Sequence, residues 1–229
     1  LYTKKLCEEF ESFYNVLTEQ VRGVRRMKEG AYPQRLQNVS SMISLLSDFY
    51  ELTLDRKYLD DANDFAEYLM SLQEEDGSYR NANVHYTCVI YPAKSMLELA
   101  IVEKEAGFEE RKKKHFESAY RAIKNLEMLL DDIETEGQMT FEDGMISCES
   151  LQLAFLAMQL PDGEEKNNLA KAAELVLKKH RCLQQQFIPD CRIRGCTARF
   201  WEARYDLNFL ANMMNTPHGW TSWKTYATY

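Results

Sequence analysis

At 229 residues the chain can bury a sizeable core in one or two domains. Apolar residues are 45% and charged residues 28%, an ordinary globular composition, and the formal charge of −8 argues against nucleic acid as the main partner, because phosphate binding needs a basic face. No apolar run reaches the roughly 18 residues a membrane span needs, so no membrane partner is expected, and with only 9 glycines and 5 prolines long helices are favoured over many short strands.

The first residues, LYTKKLCEEF, carry no charged-then-apolar export pattern and no initiator Met, and the last, TSWKTYATY, stop within a helix-like pattern. Both ends read as cut. Localisation stays open between export (periplasmic or secreted) and the cytoplasm, as does the oligomeric state. The six cysteines read as buried or free thiols, with a local Cys191–Cys196 disulfide as the alternative in an exported protein. None of the four histidines stands at finger spacing from a cysteine pair, so neither a metal nor a cofactor is expected.

Taken in order, Phe10, Tyr14, Leu17, Val21 and Val24 make one face of a first helix over Leu6 to Arg25, which 30–33 breaks. Asn38 or Ser40 is expected to cap a second helix that turns Met42, Leu45, Leu46, Phe49, Tyr50 and Leu52 inward. Asn38-Val-Ser40 also fits a glycosylation acceptor, with the N-cap preferred. Asp55 caps a third helix with Tyr58, Leu59, Ala62, Phe65, Ala66, Leu69 and Leu72 on its face. After a turn at 74–80, a helix starts near Pro92, where a missing N–H costs nothing, and stops at Gly107. The next spans about 109 to 133, with Phe116, Ala119, Tyr120, Ile123, Leu126, Leu129 and Leu130. A strongly apolar helix covers 150–160, and a last amphipathic one runs from Glu164 to Gln185 with Leu169, Ala172, Ala173, Leu175, Val176 and Leu177.

The helices alternate between a shorter, more apolar kind and a longer, charged, amphipathic kind. Leu59 to Ala62, Phe116 to Ala119 and Leu169 to Ala172 repeat at steps of 57 and 53 residues, each followed by an acidic turn or loop. A hairpin of one helix of each kind cannot bury its face alone. Several side by side can, with apolar helices inside and amphipathic ones outside.

This pattern resembles the (α/α) toroids, in particular the six-hairpin glycosidase superfamily. The residues that carry the resemblance are the turns GluAspGlySerTyr (75–79 with Glu74 before them) and PheGluAspGly (141–144), the inner helix at 149–157, and ProHisGlyTrpThrSerTrp (217–223). The resemblance implies an all-α toroid or partial toroid. Residues 1–229 would form a single domain of about four hairpins, a piece of a ring that needs roughly 330 residues at this repeat length. It also implies a carbohydrate partner. The function it favours is a glycoside hydrolase on an oligosaccharide that can contain uronic acid. A polysaccharide lyase on the same architecture and a non-catalytic helical-repeat binding module stay open, since fold alone does not choose.

Glycosidic hydrolysis needs one carboxyl group to protonate the leaving oxygen and another to activate water or attack. Asp143, in a loop before an inner helix, and Glu202, beside Trp201 and Arg204, are the best candidates for that pair, with helix capping and a salt bridge as their structural alternatives. Glu142 and Asp76 occupy similar acidic turns. Glu149 is expected to stabilise the first turn of its helix. Trp201, Trp220 and Trp223 offer flat apolar faces to sugar rings, or pack in a core. Arg194 and Arg199, with Arg192 nearby, suit a uronate carboxylate or the chain's own acids. His218 could serve a lyase as base, helped by Tyr86 or Tyr226.

Overall fold

A computed structural model describes residues 2–25, 35–79, 87–129 and 143–180. These hold seven helices: α1 Tyr2–Arg25, α2 Arg35–Thr53, α3 Arg56–Met70, α4 Thr87–Glu105, α5 Glu109–Leu129, α6 Asp143–Gln159 and α7 Glu164–His180. The described residues contain no strand, only an isolated antiparallel bridge between Gln73 and Tyr79. The chain divides into two compact units, Leu1–Asn125 and Leu126–Tyr229.

In the first unit α2 packs against α1, α3 and α4. Val39, Ile43 and Leu46 of α2 and Ala93, Met96, Leu97 and Leu99 of α4 have no exposed surface. Outer helix α3 buries one face, Tyr58, Leu59, Ala62, Phe65, Ala66 and Leu69, as its apolar spacing requires. Its start is fixed by Asp55, whose Oδ1 accepts from the Lys57 N–H at 3.1 Å. Four rings join α1, α2 and α3: Phe10 stacks on Phe49 at 3.8 Å between centroids, and Tyr14 meets Tyr58 edge-on at 5.3 Å. Each such pair adds about 0.5–1.5 kcal/mol beyond the area it buries.

Polar bonds then lock α1 to α3. Arg22 reaches Asp61 at 2.7 Å and Lys57 reaches Glu11 at 2.6 Å, while the Tyr14 and Tyr58 hydroxyls donate to Asp61 and Glu11. Burial, then the Glu11 bond, push the Tyr58 phenol up to about 12. The bonds from Lys57 and Tyr58 hold the Glu11 carboxyl below its usual value.

Several helix starts differ from the sequence reading. α2 begins at Arg35, so Asn38 and Ser40 sit within it, and Ser40 donates to the Leu36 carbonyl at 2.6 Å instead of capping. α4 begins at Thr87, which places Pro92 inside the helix; the apolar pattern through Tyr91 carries the helix across the one backbone bond that proline removes. α6 begins at Asp143, and Glu149 falls in its second turn rather than its first. The alternation is one of composition, not of length, since α2 and α4 have 19 residues and α3 has 15. Leu52 and Leu175, expected inside, are 49% and 44% exposed.

Gly107 ends α4 as expected. At φ +81° it lets Phe108 N–H bond the Glu103 carbonyl at 2.8 Å and its own N–H bond Lys104 at 3.2 Å, which satisfies two carbonyls of the last turn. In the second unit α6 packs on α7, with Leu153, Leu156 and Leu169 fully buried and Ser150 donating to the Ala173 carbonyl at 3.0 Å.

The end of α2 is strained. Leu54 holds φ 59° just past the last turn, a position suited to glycine, while 73% of its surface is exposed. Replacing Leu54→Gly removes the left-handed penalty and loses little packing. Denaturant unfolding is expected to show a gain of roughly 0.5–1 kcal/mol after the added freedom of glycine in the unfolded chain.

Candidate functional site

The aspartate–glycine turn that follows α3 is built onto α5. Asp76 Oδ1 accepts from Ser78 N–H at 2.9 Å and from its hydroxyl at 2.6 Å, and Glu74 N–H bonds the Ser78 carbonyl at 2.8 Å. The Gln73 amide donates to the Gly77 carbonyl at 3.0 Å and the Ser118 carbonyl at 2.9 Å. Its oxygen accepts from the Ser118 hydroxyl at 2.9 Å, which leaves the Tyr79 hydroxyl to donate to Ser118 Oγ at 2.5 Å. Arg121 donates to the Glu74 carbonyl at 2.6 Å and the Glu75 carbonyl at 3.2 Å. Burial raises the phenol of Tyr79 well above its ordinary range. The outer helix therefore fixes the point from which the chain runs on towards inner helix α4.

Inner helices α2 and α4 share a polar side. Ser44 donates to Glu98 at 2.6 Å, and Lys94 pairs with the other oxygen of the same carboxylate. Burial and then the Glu98 charge raise the Asp48 carboxyl, with Lys94 opposing. Burial, followed by the charges of Asp48, Glu105 and Glu98, raises Glu51. Such carboxyls can bond hydroxyl groups as acceptors or, once protonated, as donors. The sequence reading missed this group because it followed the apolar positions of both helices. The signal was there: Ser44, Asp48 and Glu51, and Lys94, Glu98 and Glu105, recur at helical spacing within apolar segments.

A second missed feature is the pair His115 and Glu103, both with no exposed surface, joined Nδ1 to Oε2 at 2.6 Å. His115 Nε2 and Glu103 Oε1 have no hydrogen-bond partner among the described residues. A buried polar pair with two unbonded atoms is costly unless its surroundings hold it firmly.

Of the residues singled out in the sequence, Asp76 lies on the exposed side of the turn just described. Asp143 is the first residue of α6, with its side chain outside the described set. Tyr86, Glu142, Arg194, Arg199, Trp201, Glu202, His218, Trp220 and Trp223 lie outside the described residues, as do Cys191 and Cys196. Among the described residues no group of three or more His, Cys, Asp or Glu could hold a metal ion, and no helix is long and apolar enough to cross a membrane.

No protein-family model matches the chain, and no curated protein matches it in sequence. Its fold is similar to a solved structure of a single-residue variant of an unsaturated glucuronyl hydrolase, a six-hairpin glycosidase, described with the oligosaccharide dGlcA-Glc-Rha-Glc. The TM-score is 0.50 at 14% identity, over 87% of this chain and 65% of that one. The described residues are helical, and the likeness places the chain in the all-α class of (α/α) toroids and partial toroids. At this identity the likeness carries architecture alone, and this chain spans 65% of the length of the enzyme it matches.

Two variants test the local chemistry. A Cβ on Gly77, which has φ +90°, would stand 2.3 Å from the Arg121 carbonyl oxygen and 2.6 Å from its carbon. Gly77→Ala is expected to cost at least about 2 kcal/mol in a thermal or denaturant melt, since strain and a backbone clash add. For Asp48 the folded pKa lies above the ordinary value, so the ionised form lowers stability once pH exceeds the folded pKa, and the penalty disappears below the unfolded pKa. Asp48→Asn should therefore stabilise at pH 7, on the order of 0.5 kcal/mol for a half-exposed charge, and show no advantage near pH 3.

Proposed function

We propose that this chain belongs to a carbohydrate-active enzyme, a glycoside hydrolase that acts on an oligosaccharide containing uronic acid. The observation that carries this reading is the likeness of its helical-hairpin fold to that of a glucuronyl hydrolase described with such an oligosaccharide. In the proposed mechanism Asp143 and Glu202 are the two carboxyl groups of hydrolysis. Asp143 opens inner helix α6, where unpaired backbone N–H groups favour an ionised carboxylate, which suits the base that activates water. Glu202 stands beside Trp201 in sequence, and a neighbouring apolar ring favours a protonated carboxyl, which suits the acid that protonates the leaving oxygen.

Substrate-binding roles fall to the residues that offer the matching chemistry. Trp201, Trp220 and Trp223 stack on sugar faces, and Arg194 and Arg199 pair with the uronate carboxylate. Asp76, Tyr86, Glu142 and His218 supply hydrogen bonds to hydroxyl groups. The raised carboxyls of the α2–α4 side, Asp48 and Glu51, suit the same hydroxyl-rich ligand.

The test is incubation of the purified protein with oligosaccharides that end in a saturated or an unsaturated uronic acid. Released sugars and new carbon–carbon double bonds are both measured. Hydrolysis releases a reducing end and creates no double bond. Asp143→Asn and Glu202→Gln should each lower kcat/KM by about 10²–10⁴-fold, the range of a lost acid or base. Arg199→Ala should raise KM selectively for the uronic-acid substrates. New double bonds instead of simple hydrolysis would transfer the assignment to a lyase. A wild type inert on every substrate, or full activity in both carboxyl variants, defeats the reading.

A further inference from the structure

We draw no further inference here: the strongest candidate, the exposed apolar face of α1 at Leu6, Phe13 and Val16 beside the groove that α1 forms with α2, carries nothing because nothing in the structure shows what covers it.

Discussion

A helix that is apolar on most of its circumference must be covered on nearly every side, and α2 and α4 impose that requirement on the first unit. With Val39, Ile43, Leu46, Met96, Leu97 and Leu99 all withdrawn from water, each side chain contributes about 1.5–3 kcal/mol relative to an exposed position. No single neighbour can supply so much cover. α2 therefore contacts α1, α3 and α4 together, and the charged residues Asp48, Glu51, Lys94 and Glu98 stand on a side of α2 and α4 that this cover leaves. The group of Ser44, Lys94, Glu98, Asp48 and Glu51 is in this sense a by-product of packing, and at the same time the polar surface that this packing leaves available.

Area holds the inner helices, but area has little direction. Direction comes from the outer ones. The phenols of Tyr14 and Tyr58 and the Arg22–Asp61 pair set α1 against α3, and the Gln73–Ser118–Tyr79 network with Arg121 sets the 74–79 turn against α5. These are mostly half-buried or buried bonds between groups far apart in the chain. Shielding from water strengthens each of them, and losing one partner would leave the other unsatisfied.

Much of this was legible in the residues. α3 could be drawn almost to its last turn, because Asp55 supplies a cap and the apolar period is clean, and Gly107 announced the end of α4. Other boundaries were hidden. Pro92 looked like a helix start because proline is tolerated there, yet the helix was already five residues long before it. The polar opening of α6, Asp143 to Glu149, masked a helix whose apolar part is only its second half. Leu52 and Leu175 obey the helical period and still face out, since periodicity names a face without saying whether anything packs on it. The turn at Asp76 was readable as a turn. Its attachment to α5 was not, because Gln73 and Ser118 are 45 positions apart and only the folded chain brings them together. Of the candidate site, the chemistry of each residue type was readable, but residues as far apart in the chain as Asp143 and Glu202 share no local spacing from which convergence can be read.

The buried Glu103–His115 pair has one more consequence. The proton between Nδ1 and Oε2 sits where bulk water does not reach, at the junction of α4 and α5. It exchanges with solvent only when that junction opens, so its lifetime measures how often the hairpin breathes. The molecule thus contains a native timekeeper for its own local opening, readable by magnetic resonance without any label, in the segment that links an inner helix to the outer helix bearing the Asp76 turn.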